Sequence, residues 1–159
     1  MAAEIDRPDS IGNPQLRWGS DAVAETVRAI GVDYIALVPG ASFRGFHDSI
    51  VNYLGNAEPQ MVVCLHEEHA VAIADGYAKI TDRPMAVALH SNVGLMHASM
   101  AIFNAWCERN PMLIFGATGP LDAHIRRPWN EWRHPSSNPA SILRDYNNGD
   151  DTPGTAQHA

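Results

Sequence analysis

Basic residues are scarce: the 159-residue chain carries 11 Lys and Arg against 18 Asp and Glu, a formal charge of −7. Those that occur are scattered, so the chain offers no electrostatic footprint for nucleic acid or an anionic lipid surface. Cysteine is scarcer still, limited to Cys64 and Cys107. Each lies in an apolar stretch, MVVCL or FNAWC, where a reduced, buried thiol is the expectation and a disulfide framework is not. No apolar run approaches the roughly 20 residues that cross a bilayer. The N-terminus, MAAEIDRPDSIGNPQ, places acids and a proline where a secretory signal has a basic start and an apolar run. The expectation is a soluble, cytoplasmic protein with neither a nucleic-acid nor a membrane partner. Apolar residues make up 45% of the chain, and a chain of this length buries roughly two-thirds of its unfolded surface without a disulfide or structural metal.

Residues 1–18 hold two prolines and no apolar periodicity, which reads as a flexible arm. From Ser20 the pattern changes. Ala22, Val23, Val27 and Ile30 recur at helical spacing and Gly31 supplies a stop, predicting a helix over 20–31. DYIALV then reads as a buried strand cut off by Pro39 and Gly40, followed by a helix over 43–55. The alternation continues with MVVCL as strand, EEHAVAIADGYAKITD as helix, PMAVALH as strand, GLMHASMAIFNAW as helix and PMLIFG as strand. Apolar strands joined by crossover helices imply an α/β fold, a parallel sheet with helices on both faces. The domain is expected over 19–120. Residues 121–159, with four prolines, read as an extended tail with at most one short helix near SILRDY.

In such a sheet the functional loops follow the carboxyl ends of the strands. Here those ends carry Pro39-Gly40-Ala41, His66-Glu67, His90-Ser91-Asn92 and Gly116-Ala117-Thr118. The densest polar group is the strand-to-helix turn His66-Glu67-Glu68-His69, and three readings compete there. Both acids favour a helix N-terminus, where a negative charge gains about 0.3–1 kcal/mol. His66 and His69 could ligate a metal, although the helical zinc signature spaces its histidines four apart and needs a third ligand. Thirdly, one of the two glutamates is a functional acid, because neighbours on a helix point about 100° apart and only one can face a site. Further along that helix Ala70, Ala74 and Ala78 permit close packing, and Gly76 reads as a point of close approach, since it costs about 1 kcal/mol relative to alanine.

The stretch LHEEHAVAIADGYAKITDRPMAVALHSNVGLMHASMAIFNAW, together with VPGASF and GATGP, resembles the pyrimidine-binding N-terminal domain of thiamine diphosphate-dependent enzymes of the acetolactate synthase and benzoylformate decarboxylase group. The resemblance implies that Glu67 contacts N1′ of the cofactor's aminopyrimidine and exchanges a proton with it. It also implies that His90 faces the substrate, as a histidine of the decarboxylase does, where carboligases of the group carry Thr-Ser-Gly-Pro-Gly. Pro39, Gly40, Ser91, Asn92 and Gly94 fall in the loops that it sets around cofactor or partner. One departure touches the substrate: Ala41 stands where the decarboxylase has a substrate-contacting serine, and Ser42 comes one place late. His66, His69 and His97 are expected to be structural or interface residues, and Tyr77, Met96, Met100 and Phe103 core or interface.

The family holds the diphosphate through Mg²⁺ on a separate domain marked by Gly-Asp-Gly, which does not occur here. The resemblance therefore implies half a cofactor site, with no metal ligands of its own. Its complement would be a diphosphate-binding domain or subunit in a homo- or hetero-oligomer acting on a small 2-oxo acid. Two other readings stay open: a non-catalytic interaction module that keeps the fold, and a metal-dependent hydrolase built on His66 and His69.

Overall fold

The computed structural model describes residues 15–120, 123–125 and 138–153. The rest of the expected arm and tail lies outside these residues. Helix α1 (Gly19–Ile30) leads into β1 (Tyr34–Leu37). A 3₁₀ turn (Ala41–Phe43), a short α2 (Arg44–Asp48) and a π turn (Ser49–Tyr53) follow. Then come β2 (Gln60–Val63), α3 (Glu67–Thr81), β3 (Met85–Leu89), α4 (Ser91–Glu108) and β4 (Met112–Gly116). The strands form one parallel sheet in the order β2-β1-β3-β4, as the α/β reading requires.

Side-chain alternation along the strands divides the core in two. Met85, Val87 and Leu89 of β3, with Ala36 of β1, face α3 and α4. Ile35 and Leu37 of β1, with Ala86 and Ala88 of β3, face α1 and the helical segment after β1. All five residues of β3 are buried, because that strand is covered on both faces. Small side chains set the spacing on α3, where Ala70, Ala74 and Ala78 are buried against the sheet side of the molecule.

Several details differ from the sequence reading. The helix expected over 43–55 breaks into three hydrogen-bonding patterns, and its widened last turn carries the bond from Leu54 N–H to the Ser49 carbonyl. Cys64 is buried, and desolvation pushes its thiol pKa up, which leaves it unreactive. Cys107 is exposed on α4 instead, since it falls outside the stripe formed by Ala98, Ala101, Ile102 and Ala105. Near SILRDY two 3₁₀ turns (Pro139–Ile142 and Arg144–Tyr146) flank Leu143, which is buried against the α4 side of the core. Among the described residues no helix is long and apolar enough to cross a membrane.

Gly76 does not serve close approach within this chain: a Cβ built there meets nothing within 4 Å. Gly76→Ala should therefore stabilise the isolated chain by about 0.5–1 kcal/mol through helix propensity alone. A urea-unfolding comparison of the two proteins checks this, and an equal or lower midpoint for the alanine variant would contradict it.

Candidate functional site

The strand order fixes where a site can form. From β1 the chain crosses to β2 on one side, then returns over β1 to β3 on the other. The order reverses between β1 and β3, the switch point at which open α/β sheets commonly seat a ligand. Pro39 and Gly40 follow β1 and lead into the 3₁₀ turn that holds Ser42, and His90 joins β3 to α4, whose first turn holds Ser91 and Asn92.

These two segments meet through side chains. Ser42 Oγ and His90 Nδ1 are hydrogen-bonded at 2.6 Å. Ser42, one place late in sequence, thus reaches the histidine that the resemblance places beside the substrate. Gly40 makes the approach possible, because a Cβ at that position would lie 2.9 Å from both Cβ and Cγ of His90. Ser91 is buried and turns the chain into α4 at φ 47°, a left-handed value that is strained for a residue with a side chain.

Gly94 has a packing explanation of its own. A Cβ there would come within 3.0 Å of the Leu89 carbonyl carbon and 3.2 Å of its Cα, backbone atoms that cannot swing away. Gly94→Ala should destabilise the chain by about 1–2 kcal/mol, the overpacking penalty less the gain in helix propensity. A lower thermal midpoint would confirm it, and an unchanged one would show that α4 can lift off β3 freely.

The second element of the site is the start of α3. His66 is its N-cap, and its Nδ1 accepts the Glu68 backbone N–H at 3.2 Å. Glu67 then takes the first helical position and points inward, only 7% exposed, whereas Glu68 faces solvent. The Glu67 carboxylate Oε2 lies 3.1 Å from Nδ1 of His97, about two turns inside α4 and half exposed. The His97 ring stacks on that of His66, with centroids 5.0 Å apart and planes 20° apart.

The cluster is thus His66, Glu67 and His97, whose ligand atoms all lie within 4.8 Å of one another. The sequence leaves His66 with His69 as one of three readings of this turn, a metal pair, and His97 is expected there to be a structural or interface residue. No local signal identifies His97, since it sits 30 residues from Glu67 and the contact exists only because α4 packs beside α3. Apolar side chains near the cluster are uncovered: Met96 and Met100 of α4 are 59% and 61% exposed, and Leu65, just before α3, is 95% exposed. Tyr77 is part-buried, and its hydroxyl donates to Asp33 at 2.6 Å, so it braces α3 against the start of β1.

Residues 17–131 match the family model for the thiamine pyrophosphate enzyme N-terminal TPP binding domain. The acetolactate synthase large subunit of Lactococcus lactis is 34% identical over 104 residues, 65% of this chain and 18% of that protein. The benzoylformate decarboxylase of Pseudomonas aeruginosa is 38% identical over 53 residues, 33% of this chain and 10% of its own length. Among solved structures, a protein described as a thiamin diphosphate-dependent enzyme from Mycobacterium smegmatis superposes with a TM-score of 0.59 at 22% identity, over 69% of this chain and 20% of that one, a likeness of fold. The chain spans less than a fifth of the length of these curated relatives.

Proposed function

The chain belongs to the thiamine pyrophosphate enzyme family, as an N-terminal TPP-binding domain, and from that premise we propose that it forms the pyrimidine-binding half of an enzyme that decarboxylates a 2-oxo acid or joins two such units. The observation that carries this reading is the buried Glu67 carboxyl at the carboxyl edge of the sheet. A cofactor ring nitrogen that must gain and lose a proton needs such a group, shielded from water and held in place. When bound, thiamine diphosphate supplies a carbon nucleophile and an electron sink next to the keto group.

The chain's own residues fit that role. Glu67 would hold the proton exchanged at N1′ of the aminopyrimidine, and the 3.1 Å contact with His97 keeps its carboxylate aimed. The Ser42–His90 pair, at the neighbouring loop ends, would orient the substrate carboxylate or keto oxygen. Pro39, Gly40, Ser91 and Asn92 shape the loops around it, with Gly40 leaving room for the His90 ring. The Gly-Asp-Gly motif is not among these 159 residues, so the diphosphate and its Mg²⁺ need a domain beyond them. The uncovered Leu65, Met96 and Met100 offer the apolar surface on which that domain, or a second subunit, would close and exclude water.

Thiamine titrated into the 159-residue chain and followed by NMR tests the reading without any partner. Resonance shifts at Glu67, the His97 ring and the loops after β1 and β3 are expected at millimolar ligand. Shifts confined to other surfaces, or none, would overturn it.

A further inference from the structure

We propose that His66, Glu67 and His97 form a three-ligand site for a zinc-class divalent ion, and that this ion and the cofactor's pyrimidine exclude each other. Two imidazoles and one carboxylate are the donor set that borderline transition ions prefer, with a fourth position left to water. Mg²⁺ demands oxygen ligands and is excluded by the same donor set. Bond lengths of about 2.0–2.1 Å in a tetrahedral site space the ligand atoms roughly 3.3 Å apart. The Glu67 Oε2 to His97 Nδ1 separation of 3.1 Å already spans one such edge.

The remaining adjustment is small. All three ligand atoms lie within 4.8 Å, and His97 is half exposed, so the solvent side leaves room for its ring to turn. The stacked His66 and His97 rings must turn out of their near-parallel arrangement to aim at one ion, a rotation that the broad χ2 of histidine allows. Coordination through Nδ1 of His66 would replace its capping bond to the Glu68 N–H. Glu67 and Glu68 in the first turn offset the positive end of the α3 dipole, which would otherwise oppose a cation there.

Exclusion follows from the shared carboxylate and rests on the cofactor reading above. A Glu67 oxygen bonded to a metal ion is no longer available to N1′, so zinc would hold the domain in a cofactor-free state.

Calorimetric titration of the full chain with zinc chloride, alone and with excess thiamine, tests both parts. One ion per chain is expected, with affinity falling at least about tenfold in His66→Ala and in His97→Ala. His47→Ala, which alters an exposed histidine beside Asp48 far from this turn in sequence, should bind as the parent does. Cobalt(II) in place of zinc should give the intense visible absorption of a tetrahedral site, absent in Glu67→Gln. Equal zinc affinity in the parent and in His97→Ala would overturn the site whatever becomes of the cofactor. If thiamine shifts the Glu67 resonances yet leaves zinc affinity unchanged, mutual exclusion is wrong. Zinc binding at the three residues in a chain that shows no thiamine response would count against the cofactor reading and leave the metal site standing.

Discussion

Glutamine in place of Glu67 should lower turnover of the assembled enzyme by about two to four orders of magnitude, the usual contribution of a positioned acid–base group. The side chains are nearly isosteric, and the amide oxygen can still accept a hydrogen bond at the position where Oε2 meets His97. What the amide cannot do is hold and release a proton. The fold should therefore survive: Glu67, at the first turn of α3, bonds to the half-exposed His97 of α4 and is not part of either apolar core cluster. The measurement is turnover of 2-oxo acids by the chain joined with its diphosphate domain, alongside a melting curve. Loss of turnover with an unchanged midpoint supports the proton role. Full turnover would reject it and favour an interaction module, which predicts normal assembly whether or not Glu67 is intact.

The second large effect concerns stability. Asp21 is buried at the start of α1 and accepts three hydrogen bonds: the backbone N–H groups of Arg17 and Trp18, each at 3.0 Å, and the Ser49 hydroxyl at 2.7 Å. Burial by itself would raise its pKa. The bond from Ser49 and then those from Arg17 and Trp18 outweigh it, holding the carboxyl below its ordinary value. Asp21→Ala removes the acceptor of all three bonds and should cost about 1.5–3 kcal/mol at neutral pH, the range for a hydrogen bond to a charged group.

The pH dependence has a definite sign. A carboxyl whose folded pKa is depressed stabilises the protein at pH values above its unfolded pKa of about 3.9, and that contribution fades as pH falls through the folded value. The gap between the parent and Asp21→Ala should be widest at pH 6–7 and shrink below pH 4. Urea unfolding at pH 7 and pH 3 measures it. A gap that is constant with pH would mean that the lost stability comes from packing and not from the charge.

Much of the architecture could be read in the chain itself. An apolar run such as MAVAL between two helical patterns needs cover on both faces, and only a parallel sheet with crossover helices supplies it for several strands. Local rules also marked ends, as at Gly31, which closes α1 at φ 83° where a side chain would be strained. The position of Glu67 at a strand-to-helix turn followed from the same patterning, and the choice between Glu67 and Glu68 as the inward acid came from the resemblance.

Other features existed only once the elements were packed. Ser42 and His90 are 48 residues apart and meet because β1 and β3 are neighbours in the sheet. His97 reaches Glu67 because α3 and α4 lie side by side on one face. The same packing showed that Gly94 is required by the Leu89 backbone, that Gly76 touches nothing, and that Cys107 faces outward. Periodicity records which face of an element is apolar, an interaction with the solvent that each residue carries alone. Which elements become neighbours is settled by the crossovers and the strand order, and the histidine partners of the site depend on that choice.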